Sequence, residues 1–222
     1  MRFPKGHTFN LIIAGTGGQG NIMVSKLLGE AAVKEGCMVT IGETYGASQR
    51  GGSVASHVRI SRKTLHGPLV PEGAAHLILG LEPVEALRML ALVGGPRTTV
   101  ITNVRPIHPM SVAMGEARYP AMDEIKAAIA SLSQRAVYLD AFAIANDLGL
   151  PLLANMVMAG ALIGSGLLPV PQEGVERRIG LNFQEAAAAQ NLKALRLGAV
   201  AVKAAMAVDA THQKQEEPWP LK

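Results

Sequence analysis

A single cysteine, Cys37, stands in 222 residues, and that scarcity excludes two architectures. An intrachain disulfide needs a second thiol, and a four-cysteine iron–sulfur cluster needs three more. Cys37 follows Gly36 at the entry to an apolar segment, so it reads as a buried structural thiol. The six histidines (His7, His57, His66, His76, His108 and His212) fall at no spacing that a metal ion uses, and no metal site is assigned to the chain. Charge is sparse as well. Only 17% of residues carry it, the formal net charge is +4, and there is no lysine–arginine run or basic–aromatic stripe. Nucleic-acid binding is therefore not expected. The longest apolar stretch, Leu152 to Val170, is interrupted by Asn155, several glycines and Pro169, which argues against a membrane span. Met1 to His7 lead into the first strand without an apolar signal region, and a cytoplasmic location is the expectation.

Glycine and apolar residues are what the chain has in plenty. The centre is Ala14-Gly15-Thr16-Gly17-Gly18-Gln19-Gly20. Before it, Asn10 to Ala14 is a short apolar run suited to a buried strand. After it, Ile22, Met23, Leu27 and Ala31 recur at helical spacing up to Lys34. A strand, a glycine turn and a helix make a site for an anion, because backbone N–H groups approach it at the positive end of the helix. The spacing Gly15-x-Gly17-x-x-Gly20 fits the dinucleotide fingerprint, although a close-packed turn without a ligand accounts for it equally well. Met38 to Ile41 supplies a second strand ending near Glu43, an acid that could take a ribose hydroxyl pair. This keeps a nicotinamide- or flavin-dependent reductase open as one reading. A non-catalytic interaction module is another, since 49% hydrophobic residues beside so little charge suits a chain covered by a partner.

Further along, Ser53 to Ile60 alternates with period two, placing His57 and Arg59 together on a polar face expected to turn toward a partner. Ser61 to Ala75 reads as irregular. Ala75 to Gly80, Thr98 to Asn103 and Ala136 to Asp140 read as strands. Glu82 and Pro83 open a helix that Gly94-Gly95-Pro96 closes, and Asp123 is expected to cap a shorter one. This alternation predicts an α/β fold: a Rossmann-like, mostly parallel sheet with helices on both faces. From Ala141 onward the pattern is helical only, with Asn182 and Glu185 resembling a capping box. The expected organisation is one domain over residues 1–210, with the sheet core over about 1–140, the helical part over 141–210 and a tail at 211–222. Ligands of such sheets lie beyond the carboxyl ends of strands. The glycine turn, Glu43 with the loop after it, the Leu81-Glu82 turn, Asn103 and Asp140 all fall there.

The segments GTGGQG (15–20) and GETYGASQRGGSVASHVRIS (42–61) together resemble the gamma-type domain of the 2-oxoacid:ferredoxin oxidoreductases. Within that family they are most similar to the small beta subunits of the indolepyruvate-oxidising enzymes. The likeness extends through Asn155-Met156, Gly160-Ala161, Gly166-Leu167-Leu168-Pro169, Phe183, Asn191-Leu192, Ala194-Leu195 and Gly198, so it covers nearly the whole chain. It implies a subunit that is inactive alone. Thiamine diphosphate, magnesium and [4Fe-4S] clusters would reside in a larger partner subunit, coenzyme A would be a substrate and ferredoxin the electron acceptor. An aryl-pyruvate would be decarboxylated to acyl-CoA and CO2, with this chain closing the site from one side. The candidate residues at that edge are Gly15, Gly17, Gly18, Gln19, Gly20, Glu43, Gln49, Arg50, Gly51, Gly52 and Ser53. Arg50 is the candidate grip for an anion, because its planar fork suits a carboxylate or phosphate. A salt bridge from Arg50 to Glu43 that shapes the loop is the competing role.

Overall fold

Thr8 to Thr16 form β1, the strand around which the sheet is assembled. Its side chains alternate between two apolar clusters: Phe9, Leu11 and Ile13 enter one, Ile12 and Ala14 the other. A strand buried on both faces needs a continuous apolar run, which is what this segment supplies. A computed structural model of the chain describes residues 8–46, 52–108, 112 and 114–215. The elements after β1 are α1 (Asn21–Lys34), β2 (Met38–Tyr45), β3 (Ser53–Ser61), β4 (Leu77–Gly80), α2 (Pro83–Val93) and β5 (Thr99–Asn103). They continue with α3 (Met122–Leu132), β6 (Arg135–Leu139), α4 (Ala141–Asp147), a 3-10 turn (Pro151–Leu153), α5 (Ala154–Gly164), α6 (Gln172–Asn182) and α7 (Glu185–Gln215).

The six strands lie in the order β2-β3-β1-β4-β5-β6. β1, β4, β5 and β6 pair in parallel, whereas β3 runs antiparallel to both β1 and β2. The mostly parallel sheet is thus as expected, with one reversed strand inserted between β1 and β2. The short connection from Gly46 to Gly52 forces that reversal, since a parallel return requires a crossover of about a dozen residues or more. α1, α5, α6 and α7 contribute to the cluster on one face, α2 and α3 to the cluster on the other.

Three local expectations are corrected by the tertiary structure. The face of β3 that carries His57 and Arg59 is covered by the chain itself. Val70 N–H donates to His57 Nδ1 at 3.2 Å, and Arg59 donates to the carbonyls of Gly67 and Leu69 at 3.1 and 3.2 Å. Helix α3 begins before Asp123, and the carboxylate of Glu124 reaches back to the Ala121 N–H at 2.6 Å. Asn182 ends α6 instead of capping α7, and its amide donates to Glu30 of α1 at 2.8 Å. Helix α7 continues to Gln215, and residues 216–222 lie outside the described residues. Among the described residues no helix is long and apolar enough to cross a membrane.

Candidate functional site

The glycine turn is held by its own glutamine. Gln19 Oε1 accepts the Thr16 N–H at 2.7 Å, and Gln19 Nε2 donates to the Leu81 carbonyl at 3.0 Å, tying the loop after β1 to the end of β4. Leu81 returns the tie through its N–H to Ala14 O at 2.7 Å. At the end of β5, Asn103 Nδ2 reaches the same Leu81 carbonyl at 3.4 Å and its Oδ1 accepts the Ala141 N–H at 3.1 Å. Asp140 caps α4 by accepting the Ala143 N–H at 2.9 Å. Four successive parallel strand ends are therefore stitched side by side.

Beyond them opens a cavity of about 560 Å³. Its floor is Thr16 to Gln19, Leu81 and Asn103. Arg105, Pro106 and Ile107 form one wall, and Phe142, Leu152, Asn155 and Met158 stand opposite. Arg105 lies 4.9 Å from the centre of the Phe142 ring and 3.4 Å from the Asp140 carboxylate. Gly20, with φ +86°, occupies the left-handed region at the start of α1. A Cβ there would lie 2.3 Å from Asn155 Nδ2, so α5 packs its asparagine directly onto the turn.

Chemically this is a binding wall. The described lining residues include no histidine, cysteine, lysine, aspartate or glutamate, so they supply no titrating group to move a proton and no nucleophile beyond the Thr16 hydroxyl. They offer a guanidinium, three side-chain amides, backbone of the glycine turn and an apolar surface. These suit an elongated ligand with an anionic or carbonyl group and an apolar part. They do not fit a divalent ion, which asks for carboxylate oxygens. Cys37 is buried, and that burial pushes its thiol above its ordinary range, which does not fit a cluster ligand either. Among the described residues no three histidine, cysteine, aspartate or glutamate side chains converge.

The family model for pyruvate ferredoxin/flavodoxin oxidoreductase matches residues 10–201. The chain belongs to this family. The indolepyruvate oxidoreductase subunit IorB of Archaeoglobus fulgidus is 40% identical over 189 residues, 85% of this chain and 92% of that protein. Its namesake from Pyrococcus horikoshii is 41% identical over 198 residues, 88% of this chain and 96% of that one. In structure, the gamma subunit of a keto/oxoacid ferredoxin oxidoreductase from Geobacter sulfurreducens superposes with a TM-score of 0.65 at 23% identity. That match covers 89% of this chain and 98% of that one. The 2-oxoglutarate:ferredoxin oxidoreductase of Magnetococcus marinus, solved with 2-oxoglutarate, coenzyme A and succinyl-CoA, gives a TM-score of 0.69 at 21% identity. Here the match covers 90% of this chain but 32% of the larger one. Both neighbours share the fold of this oxidoreductase subunit.

The two sequence segments that carry the family likeness meet in space. The Gly17 N–H donates to Gly52 O at 2.9 Å, and the Gly46 N–H donates to Ser53 O at 2.7 Å. Ser53 Oγ donates to the buried Glu85 carboxylate at 2.6 Å. Of the candidate residues, Gly17, Gly18 and Gln19 line the cavity. Gly15 lies beneath Gln19, Gly20 lies against Asn155, and Gly52 and Ser53 adjoin the turn as described. Gln49, Arg50 and Gly51 lie outside the described residues. Glu43 is elsewhere: its carboxylate accepts Ser56 Oγ at 2.6 Å and lies 3.3 Å from Ser25 Oγ, under α1. With β3 inserted between β1 and β2, Glu43 is one strand removed from where a ribose-binding acid would stand.

Sequence reasoning missed Arg105, Phe142, Asn155 and Met158. Arg105 and Phe142 follow strand ends by two or three residues, so the strand-end rule could have found them. Asn155 and Met158 sit within an apolar helix far along the chain, and no local signal brings them to the glycine turn.

Proposed function

We propose that this chain is the smaller, cofactor-free subunit of an aryl-pyruvate:ferredoxin oxidoreductase of the indolepyruvate type. The single observation that carries the substrate class is near-full-length identity of about 40% with chains named as indolepyruvate oxidoreductase subunits. The geometry supports the subunit's role. A cavity whose described lining holds no acid–base group contributes shape and binding to a reaction completed elsewhere. In this reading a larger subunit holds thiamine diphosphate, magnesium and [4Fe-4S] clusters. Coenzyme A takes the acyl group, CO2 leaves, and two electrons pass to ferredoxin. The cavity receives the apolar and carbonyl parts of substrate or coenzyme A. Residues 1–210 act as one domain, 211–222 as a tail, and the complex is cytoplasmic.

Co-expression with the larger subunit tests the proposal. A stable complex containing iron, acid-labile sulfide and thiamine diphosphate is expected. It should oxidise indolepyruvate in preference to pyruvate, while the purified chain alone is colourless and inactive. Oxidative decarboxylation by the single chain, or failure of the pair to associate, would refute it. Arg50 enters as the grip on an anionic substrate group. Arg50→Lys keeps the charge and loses the fork, so the complex is expected to assemble with kcat/KM lowered about ten- to a hundredfold. Equal damage from Glu43→Gln, with the double variant doing little more than either single one, would instead assign Arg50 to loop shaping.

A further inference from the structure

One buried acid beside the cavity has no part in the reading above. Glu82 follows Leu81 at the end of β4 and is 1% exposed. One carboxylate oxygen caps α2, accepting the Glu85 N–H at 2.9 Å. The other is turned onto the connection between β5 and α3, where it accepts hydrogen bonds from the Tyr119 hydroxyl and from the Ile107 N–H, the latter at 3.4 Å. Ile107 closes the Arg105–Ile107 wall of the cavity. The His108 ring packs against Tyr119 at 5.0 Å between centres, so two described parts of the connection touch each other.

We propose that Glu82, with Tyr119, is the positioning pair that fixes the Arg105–Ile107 wall relative to the glycine turn, and so sets how tightly the cavity holds its ligand. A cap alone does not need Tyr119, because Asp, Asn, Ser and Thr cap helices from exposed positions. Burying a carboxylate is costly, and the cost is tolerated where its oxygens are met by donors. Here those donors come from the connection, not from the helix alone. Leu81 and Glu82, adjacent in sequence, therefore carry two ties: the Leu81 carbonyl holds Gln19 and Asn103, and the Glu82 carboxylate holds Ile107 and Tyr119. Floor and wall are registered against each other through one peptide unit. Burial raises the Glu82 carboxyl and, together with the hydrogen bond to Glu82, raises the Tyr119 phenol, which keeps the tyrosine proton in place to be donated.

The test uses Tyr119→Phe, which removes only the hydroxyl and leaves the α2 cap intact. Tyr138→Phe is the control: it deletes a half-buried phenol that donates to Lys126 O at 3.4 Å, away from the cavity. In the full chain alone, hydrogen exchange at the Ile107 amide is expected to accelerate about tenfold or more in Tyr119→Phe and to be unchanged in Tyr138→Phe. In the reconstituted complex, an arm that rests on the function proposed above, KM for coenzyme A or for the 2-oxo acid is expected to rise about three- to tenfold with kcat nearly unchanged. The rise should be less than additive with that of Arg105→Gln. Unchanged Ile107 exchange in Tyr119→Phe would overturn the proposal, as would unchanged KM for both substrates in an assembled complex. If the complex does not form, the function proposal fails while the exchange measurement still decides this one.

Discussion

Gln19, which lines the cavity, is built into its loop by both ends of its amide. Thr16 is buried, and the Gln19 amide oxygen at 2.7 Å is the partner of its backbone N–H. Gln19→Ala leaves that donor buried without a partner, which costs about 1–3 kcal/mol. Urea unfolding of the single chain is expected to show this loss. A residue kept for substrate would leave stability untouched and change only the activity of the complex. The same scale bears on Glu43, one strand removed from β1. An acid at the end of a second strand is a sound signal for ribose binding only when that strand lies next to the first.

At the scale of elements, the crossing of α5 and α7 shows what the small residues of both helices permit. A Cβ on Gly160 would lie 1.8 Å from the Leu195 carbonyl oxygen, and one on Gly198 would lie 1.8 Å from that of Val157. Backbone meets backbone there, so no side-chain adjustment relieves the clash and the helices must separate. Gly160→Ala or Gly198→Ala is expected to destabilise by on the order of 3 kcal/mol or to prevent folding. Gly180, exposed in α6 with nothing near its missing Cβ, has the opposite sign. Gly180→Ala is expected to stabilise by about 0.5–1 kcal/mol through helix propensity alone. Thermal melts of the three variants check both signs. A neutral Gly160→Ala would mean that the two helices are not packed at backbone contact.

At the scale of the whole molecule, two histidines among the described residues have a folded environment that favours the neutral ring. His57 Nδ1 accepts the Val70 N–H and His76 Nδ1 accepts the Asn10 N–H at 3.0 Å, and a protonated ring has no lone pair for either. Burial lowers the pKa of both below the ordinary 6.5, and Arg97 adds to the effect at His76. The unfolded chain therefore takes up these protons first. Stability is full above about pH 6.5 and falls as pH drops through that value toward the folded pKa values. Glu82 acts with the opposite sign, because its folded pKa is raised above 4.5 and the folded state binds its proton first. With two histidines against one acid, the urea midpoint is expected to fall between pH 7.5 and pH 5.5, and His57→Gln to reduce the fall. A midpoint that rises on acidification would show that Glu82 dominates.

The sequence by itself determined what depends on neighbours along the chain. The apolar run of β1 and the glycine turn are short-range effects of burial and backbone geometry, and so is the start of α2 at Glu82-Pro83. The two glycine-bearing segments were legible as a pair, and with them the family. Only the tertiary structure decided which distant groups meet. β3 entered between β1 and β2 and removed Glu43 from the ribose position. Residues 67–70 folded over His57 and Arg59 and made a buried face of what alternation marked as polar. Asn155 of α5 came onto Gly20, and Tyr119 reached Glu82 at the start of α2. Each of these contacts joins residues whose separation along the chain leaves no trace in local periodicity, so hydrogen-bond satisfaction and close packing in three dimensions select them.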